Sequence, residues 1–433
     1  MNKRAIILTG GLLAILAIAA ALLLPRFTGG ESVSAGVVFS PSMLARVPLE
    51  AHDVILIPHF DATVYRLKRH PLGRDFLRAA APGQPLGLIA TAVGNGAVIS
   101  YRSEAGSGFI LKMSAVRSSF LRMFGFLLPK PWDEFYVEDG LVIVGRPGQI
   151  RSSAPALATF GTDLKGELFL YQPPGAHASF PPLATPNLSA VSLRPGAITM
   201  ESRSPSEPPS PASVPRLGLL RDAMFSALVS STPEAMKNLD RVLPVNIGPL
   251  LEHGGLMALY KVDAKKFVPK PEGIIAIPLG GGRQQEIEQL ISETVGNFHF
   301  GDVSLNRQSV REHGGITVKR SQTIGMTIEY ATVAGLAVLS FDKSSMDRFL
   351  DDRQETAASP DAIWSVRVDP SKAVDAIETL RGQQLSFLLG GDTGRKLERA
   401  ERALRLVREA RLILIEKRNV RPGPSVFTTI QAK

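Results

Sequence analysis

The chain has 433 residues, of which 44% are hydrophobic, and this is enough apolar material for two or three domains with cores of their own. It contains no cysteine, which excludes structural disulfides and lipid attachment to a cysteine. The net charge is +9, and residues 395–433 hold eleven basic residues against four acidic ones, so most of the excess charge lies near the C-terminus.

Residues 5–24 form an uncharged apolar run that follows Lys3 and Arg4. At about 1.5 Å per residue, a helix of this length reaches roughly 30 Å, the thickness of the hydrocarbon core of a bilayer. The positive charges before the run favour a cytoplasmic N-terminus and an exported body. The sequence therefore predicts a single-pass inner-membrane protein with an anchor at 1–26, a spacer at 27–44 and a periplasmic or extracellular body.

Cleavage of this segment is the alternative. A signal peptide has an apolar region of about 7–15 residues, with a cleavage site between small residues close behind it. The run here is longer, and the best site, Val33-Ser34-Ala35, lies some distance beyond it. We therefore expect the segment to be retained in the lipid bilayer.

A pattern of a short apolar strand, an aspartate and a stretch that can start a helix recurs at Asp61, Asp263, Asp342 and Asp369. An aspartate before a helix accepts a hydrogen bond from an unpaired N–H group and meets the positive end of the helix dipole. Pro370, directly after Asp369, suits the first helical turn. The pattern predicts that these aspartates are helix caps rather than catalytic acids.

The spacing of the strands predicts a tandem duplication. Strand ends fall at positions 61, 147 and 173 in the first half, with steps of 86 and 26, and at 263, 342 and 369 in the second, with steps of 79 and 27. A strand, an Arg-Pro-Gly turn and a second strand then follow around 194–196 and again around 421–423. We expect Asp61 to correspond to Asp263, and the strand at Leu168 to correspond to the strand at Trp364.

The predicted fold class is α+β: a transmembrane helix followed by two tandem repeats, each a mainly antiparallel sheet with packed helices. Repeat 1 covers 45–203 and repeat 2 covers 250–433. A Ser/Pro-rich linker at 204–216 cannot form a core. Connecting helices are predicted at 217–249, mainly from Leu219 to Leu239.

The strand–Asp–helix units, and in particular the strand and helix at 336–350, resemble those of exported bacterial proteins of unknown function that combine an N-terminal anchor with repeated α+β units. The resemblance covers most of the body. It implies an exported, anchored protein and supplies no activity, cofactor or site residue.

Two patterns suggest enzymatic or phosphate chemistry. Ser340 and Lys343 match the Ser-x-x-Lys motif of penicillin-binding proteins and β-lactamases, but the companion Lys-Thr-Gly is absent and Ser340 lies in a predicted strand. Glycines at 280–282 lie before Arg283 at a strand-to-helix turn, where backbone N–H groups can hold phosphate. The Gly-Lys-Ser/Thr continuation is missing, which favours a structural turn.

Histidines give a third pattern, because Glu-His-Gly-Gly occurs at 252–255 and again at 312–315. Two Glu–His pairs brought together could bind zinc, but neither pair has the His-x-x-x-His spacing of a helical site, and Gly-Gly before a strand is an ordinary turn. His52 and His59 are expected to face solvent or a satisfied partner. We therefore predict no catalytic, cofactor-binding or metal-binding residue.

The basic C-terminal segment predicts an amphipathic helix, since Leu397, Ala400, Leu404, Val407 and Ala410 follow helical spacing. This helix could contact anionic lipid or another envelope protein, or it could be a solvated face stabilised by i,i+4 ion pairs. Nucleic acid is not an expected partner, because the body is predicted to be exported.

The function predicted from these features is binding or scaffolding in the cell envelope. One alternative is an envelope hydrolase with a composite active site, which needs converging titratable groups in a pocket. Another is a lipid carrier with a hollow sheet lined by residues such as Phe109, Leu111, Phe120 and Phe124.

Overall fold

The structure is a computed structural model, in which the described residues fall into separate stretches. They are 33–34, 41–48, 51, 53–74, 90, 93–103, 106–124, 135–144, 164–172, 187–203, 217–229, 254–263, 270–279, 285, 289, 299–300, 303–304, 307–323, 326–340, 342–351, 355–357, 359, 361–382, 404–405, 407–420 and 424–433. The chain divides into two compact units, Met1–Glu207 (unit 1) and Pro208–Lys433 (unit 2). Both consist mainly of antiparallel sheet with few helices, which agrees with the predicted α+β class.

The described part of unit 1 contains short strands and three helices whose bounds are defined. Its elements are β1 (Val33–Ser34), α1 (Pro41–Leu44), β2 (Asp53–Ile57), α2 (Phe60–Arg69), β3 (Ala97–Ser103), β4 (Gly106–Lys112), α3 (Ala115–Phe124), β5 (Phe135–Glu138), β6 (Leu141–Val144), β7 (Lys165–Gly166), β8 (Leu168–Gln172), β9 (Asn187–Arg194) and β10 (Ala197–Arg203).

Eight of these strands form one antiparallel sheet in the order β5-β6-β4-β3-β2-β8-β9-β10. A separate pair joins β1 to β7. The sheet is buried on both faces: Met43 and Val47 pack in one cluster, and Phe60 and Val64 of α2 pack in another. This explains why β6 is a continuous apolar run rather than an alternating one, since every one of its residues is buried.

Unit 2 has longer strands and two described helices. Its elements are β11 (Gly218–Leu220), β12 (Phe225–Val229), β13 (Gly255–Asp263), β14 (Lys270–Pro278), β15 (His299–Phe300), β16 (Val303–Ser304), β17 (Arg307–His313), β18 (Ile316–Thr323), β19 (Met326–Val333), β20 (Leu336–Ser340), α4 (Lys343–Asp351), β21 (Glu355–Ala357), β22 (Ala362–Val368), α5 (Pro370–Gly382), β23 (Ala410–Asn419) and β24 (Pro424–Ala432).

Ten strands of unit 2 form an antiparallel sheet in the order β17-β18-β19-β20-β14-β13-β12-β22-β23-β24. Two small pairs lie apart from it, β11 with β21 and β15 with β16. Met346 and Phe349 of α4 are buried against one face of the sheet, together with Leu256 and Ile274. The apolar side of α4 therefore covers the middle of the sheet.

The two sheets have the same strand order, apart from a hairpin that unit 2 adds at one edge. Following the sheet of unit 1 from β5 to β10, the strands correspond in turn to β19, β20, β14, β13, β12, β22, β23 and β24. The separate pair β1–β7 corresponds to the pair β11–β21. In the sequence, β1 and β11 are the strands before β2 and β12, and β7 and β21 are the strands before β8 and β22. The added hairpin is β17–β18, which extends the sheet beyond β19.

Three predicted strand–helix units are present, namely β2–α2, β20–α4 and β22–α5. The predicted unit at Asp263 is wrong. Asp263 is the last residue of β13 and lies opposite Lys270 of β14, so the chain turns there through a hairpin. In strand order, β13 corresponds to β3 and β12 corresponds to β2, so Asp263 is not the counterpart of Asp61.

The predicted connecting helices at 217–249 are wrong over residues 218–229, which form β11 and β12. Strand β12 pairs with β13 on one side and β22 on the other, and these two ladders outweigh the local helical pattern. The buried Arg367 of β22 reinforces the arrangement, because its Nη1 donates to the carbonyl of Ala223 at 3.0 Å. Residues 230–249 lie outside the described part.

The predicted C-terminal helix lies largely outside the described residues. Residues 404–405 are helical, and the chain has entered β23 by Ala410, so the helix ends earlier than its apolar spacing predicts. No helix among the described residues has the length and apolar character needed to cross a bilayer, and the predicted span at 5–24 lies outside them.

Candidate functional site

Among the described residues, a dense group of charged side chains lies on β17, β18 and β19, beside the helix α4. Its centre is Glu329 of β19, whose side chain is fully buried. Arg311 of β17 donates to both of its carboxylate oxygens, at 3.0 and 2.5 Å. Arg320, directly opposite on β18, donates to Oε1 from two nitrogens, at 2.8 and 2.6 Å. The buried carboxylate is therefore held by two guanidinium groups.

Electrostatics favour the ionised form of this glutamate. Burial alone would raise the pKa of the Glu329 carboxyl, but the hydrogen bonds and charges of Arg311 and Arg320 outweigh burial, and the pKa is lowered. The hydrogen bonds to Glu329 in turn raise the pKa of Arg311 above its usual value. Glu329 and Arg311 therefore stay charged at neutral pH, and neither is suited to exchange a proton with a substrate.

The cluster, here called the Glu329 network, continues onto α4. Nη2 of Arg311 also lies 2.7 Å from Oδ1 of Asp347. The ring of His313 bridges two carboxylates one helical turn apart, with Nδ1 3.3 Å from Asp347 and Nε2 2.6 Å from Asp351. Each ring nitrogen thus faces a different carboxylate. The network binds the hairpin β17–β18 to the helix.

A shallow groove of about 290 Å³ lies on the same strands, and Thr317, Lys319, Tyr330 and Thr332 line it. The ammonium of Lys319 is 5.9 Å from the centroid of the Tyr330 ring, and the Tyr330 hydroxyl is 3.0 Å from Oγ1 of Thr332. Lys319, Tyr330 and Thr332 alternate with Glu329 and Arg320 along their strands, so they lie on the face opposite the Glu329 network.

Unit 1 has its own buried carboxylate, Glu167, between β7 and β8. Its Oε2 lies 2.8 Å from Nη1 of Arg66 on α2, and its Oε1 accepts the backbone N–H of Leu193 at 3.0 Å. Arg66 of α2, and His70 directly after the helix, also bond to backbone carbonyls of β9, at 2.7 and 3.1 Å. Burial is the dominant influence and raises the pKa of Glu167. The carboxylate ties α2 to the sheet and lies beneath the surface.

The structure gives Ser340 a backbone role. Its hydroxyl is fully buried, within reach of the carbonyls of Gly273 at 3.0 Å and Asp342 at 2.7 Å, and it accepts the N–H of Asp342 at 3.3 Å. Lys343 is exposed on the first turn of α4. The Ser-x-x-Lys pattern therefore does not form a nucleophile with its base at this place.

Two of the predicted caps are confirmed. Asp342 accepts the backbone N–H of Ser345 at 2.7 Å and its hydroxyl at 2.6 Å, which is the geometry of an N-cap. Asp369 accepts the N–H of Lys372 at 3.2 Å and the hydroxyl of Ser371 at 2.8 Å. Each carboxylate is bonded within its own helix turn, so neither shows the paired geometry of a catalytic dyad.

The pattern is weaker at the start of α2. The N-cap there is His59, which makes no side-chain cap, and Asp61 is the second residue of the helix. Asp61 still lies in the first turn, where a negative charge meets the positive end of the dipole. The predicted cap at Asp61 is therefore wrong, although the strand-to-helix transition is right.

The remaining candidates are only partly described. Residues 280–283, 252–253 and 52 lie outside the described part. Gly314 and Gly315 form the predicted turn, with φ of +53° and +76°. No group of three His, Asp or Glu residues able to hold a metal ion occurs among the described residues.

The proposed lipid cavity can be examined at Phe109 and Leu111. Both pack with Phe60, Val64 and Val98 in a filled cluster between the sheet and α2. The side chains of residues 120 and 124 lie outside the described part. Phe109 and Leu111, which were predicted to line a cavity, therefore belong to the hydrophobic core of unit 1.

Arginines of the basic C-terminal segment pair with α5. Arg405 lies 2.8 Å from Glu378, and Arg408 lies 3.1 Å from Asp375. These are exposed pairs, each of which stabilises by at most about 1 kcal/mol. Part of the positive charge is thus matched within the chain.

Comparison of the chain with known protein families, with curated proteins and with solved structures finds no match. Sequence reasoning missed the Glu329 network. Its signal was a single glutamate within the otherwise uncharged strand 326–333, next to a strand that carries Lys319 and Arg320.

Proposed function

We propose that the chain is a membrane-tethered protein of the cell envelope whose folded part serves as a binding or scaffolding module. In this proposal residues 5–24 hold the chain in the inner membrane, the N-terminus is cytoplasmic and the body is exported. The body consists of two tandem α+β repeats. The support for the tether is the apolar run and the charges that precede it.

One observation carries the binding role. Five buried or half-buried groups that could do acid–base or nucleophilic chemistry are engaged in structural bonds: Ser340 with backbone, Asp342 and Asp369 at helix starts, and Glu167 and Glu329 with arginines. The added hairpin β17–β18, by contrast, carries many exposed residues. A fold that uses its reactive groups internally and displays an extended strand pair suits contact with another macromolecule.

The duplication is also a proposal, and the shared strand order supports it. A second support is the turn between corresponding strands. Asp139–Gly140 joins β5 to β6 and Ala334–Gly335 joins β19 to β20, and all four residues have positive φ. Two-residue turns with positive φ at both positions are one specific hairpin type, so the two copies share a detail as well as an order.

Location can be tested with single cysteines, because the native chain has none. Tyr65→Cys and Met123→Cys place a thiol at exposed positions of the body, and Asn2→Cys places one before the apolar run. In intact cells with a permeabilised outer membrane, we expect a membrane-impermeant maleimide to label the first two variants and to label Asn2→Cys only after lysis. Labelling of all three only after lysis would contradict export.

The binding role can be tested by affinity capture of the full-length, tagged chain from its native membrane. We expect stoichiometric recovery of a defined envelope component. The control is the same chain in which the order of residues 307–313 and of residues 316–323 is scrambled and the turn glycines stay in place. This change removes the hairpin surface and keeps the composition. Equal recovery with the control would contradict a role of the hairpin, and catalytic conversion of envelope polymers by the purified chain would favour the hydrolase.

A further inference from the structure

The outer strand of the added hairpin, β17, is exposed to solvent. Gln308, Ser309 and Glu312 are exposed, and Val310 has 67% of its surface accessible, which makes it one of three large exposed apolar side chains among the described residues. Its described ladder partner is β18, on one side only. An open strand edge with an apolar side chain at its centre is a template for pairing with another strand.

The hairpin geometry determines which backbone groups of β17 face outward. In a two-residue hairpin the residues next to the turn form a hydrogen-bonded pair, and bonded and non-bonded pairs then alternate along the ladder. The pair next to the Gly-Gly turn is His313–Ile316. The N–H and C=O groups of Gln308, Val310 and Glu312 therefore point away from β18, toward the open edge.

This edge is complementary to itself. If a second β17 lies antiparallel with Val310 opposite Val310, then Gln308 lies opposite Glu312 and Ser309 lies opposite Arg311. The apolar side chains meet at the centre, an amide faces a carboxylate, and a hydroxyl faces a guanidinium. No pair from 308 to 312 sets like charges against each other, which would disfavour the register.

The network behind the strand holds the edge in place. Arg311 is fixed by Glu329 and Asp347, and His313 is fixed by Asp347 and Asp351. The charge of Arg311 is thus compensated within its own copy, so it does not repel an incoming strand as an unpaired edge charge would. The strand is presented extended and ordered, which lowers the entropic cost of pairing.

We propose that β17 pairs with β17 of a second copy of this chain, antiparallel and centred on Val310, and that the two sheets join there into one. The contact is isologous, because the same residues of both copies form it. The edge is short and lies below the size of a standard stable interface, so the pairing is reversible. Covalent trapping therefore suits it better than a measurement of mass.

The test uses the absence of native cysteines and compares purified full-length variants under mild oxidation in detergent. In the proposed register the Cα atoms of the two Val310 residues are about 5.5 Å apart, which a disulfide can span. Val310→Cys should form a disulfide-linked dimer roughly tenfold faster than Met123→Cys, an equally exposed control in unit 1, because facing thiols have a high effective concentration.

The register is tested with two more variants. Gln308→Cys or Glu312→Cys alone should link slowly, because in each homodimer the two thiols are about 13 Å apart along the strand. An equimolar mixture of these two variants should link much faster than either alone and about half as fast as Val310→Cys, because only the mixed dimers bring two thiols face to face. All three positions are exposed, so the substitutions leave the core intact.

Three results would overturn the proposal. One is a Val310→Cys dimer that forms no faster than that of Met123→Cys. Another is a Gln308→Cys variant that links by itself as fast as the mixture, which would show that the disulfides form by random collision and not in the proposed strand register. When the same oxidation is done in native membranes, linkage of Val310→Cys to a protein of different mass, in place of the homodimer, would also contradict a second copy as the occupant.

Discussion

Each unit buries a glutamate beside one of its helices, Glu329 in unit 2 and Glu167 in unit 1, and these two carboxylates behave in opposite ways. Glu329 of unit 2 is bonded by two arginines and its pKa is lowered. Glu167 of unit 1 has one arginine, itself partly exposed, and one backbone N–H, and its pKa is raised. Burial acts against ionisation in both. The number of cations within hydrogen-bond distance decides which effect wins.

The difference reflects what each carboxylate holds. Glu167 connects α2 to strands that correspond to strands of unit 2. Glu329 lies on β19, where the added hairpin joins the sheet, and the two arginines that it binds lie on the two strands of that hairpin. The stronger charge network therefore accompanies a hairpin that has no counterpart among the described strands of unit 1.

Removing each glutamate is the largest test of this comparison. Glu329→Ala should destabilise unit 2 by about 3–5 kcal/mol, because two partly buried arginines lose the carboxylate that they share, although Arg311 keeps its contact with Asp347. Glu167→Ala should cost unit 1 less, about 1–3 kcal/mol, since Arg66 can reach solvent and the main loss is the bond to the Leu193 N–H.

The units can be followed separately, because the chain has two tryptophans, Trp132 in unit 1 and Trp364 in unit 2. Denaturant unfolding is measured by fluorescence in Trp364→Phe for unit 1 and in Trp132→Phe for unit 2. Equal losses at the two glutamates would break the comparison.

The pH dependence should differ in sign. The lowered pKa of Glu329 gives stability that is present above the unfolded value of 4.5 and lost as the pH falls through the folded pKa. The raised pKa of Glu167 gives stability that is full below 4.5 and lost as the pH rises through the folded pKa.

The measurement is unfolding from about pH 3 to pH 7 with Gln substitutions as references. The advantage of the parent over Glu329→Gln should grow as the pH rises, and the advantage over Glu167→Gln should shrink. Parallel profiles for the two pairs would show that the arginine count does not explain the difference.

Loss of a helix cap should have a smaller effect on the free energy of unfolding, and this effect should distinguish the two caps from Asp263. Asp342→Ala should cost about 1–2 kcal/mol, and Asp369→Ala about 0.5–1 kcal/mol, because its bond to the helix N–H is longer and more exposed. Asp263→Ala, at a strand end, should be close to neutral. The unfolding midpoint of unit 2 measures all three, and a large loss at Asp263 would restore it as a cap.

Substitutions in the two corresponding turns, Asp139–Gly140 and Ala334–Gly335, should have the smallest effect on stability. Ala334 has a φ of +50°, which strains a residue with a Cβ, whereas Asp139 at the matching position tolerates the same φ. Ala334→Gly should therefore stabilise unit 2 by about 0.5–1 kcal/mol, and Asp139→Gly should change unit 1 little. Thermal melting of the two variants checks the contrast.

Local signals in the sequence predicted local structure. Asp342 and Asp369 follow apolar strands and precede residues that can start a helix, and all the information for a cap lies within four residues. The turn at Gly314–Gly315 is equally local. Such features need no knowledge of the neighbouring strands.

Strand partners were not predictable in the same way. β12 and β13 both have the apolar composition of a central strand, and the sequence does not say which of them lies beside β22. For that reason the spacing of the strands pairs Asp263 with Asp61. The local helical pattern likewise predicts a helix where β12 forms. The Glu329 network was missed because its members are up to about forty residues apart and meet only through the ladder and α4.

Unit 2 has the strand order of unit 1, with β12 in the place of β2. Because the native chain has no cysteine, engineered intramolecular disulfides can test this strand order. Leu228 and Ser365 are direct partners on β12 and β22, within reach of a disulfide, whereas Leu256 of β13 is one strand further away, at roughly 10 Å. The account predicts that Leu228→Cys/Ser365→Cys closes on oxidation and that Leu256→Cys/Ser365→Cys stays open. Closure of the second pair and not the first would place β13 beside β22 and contradict the account.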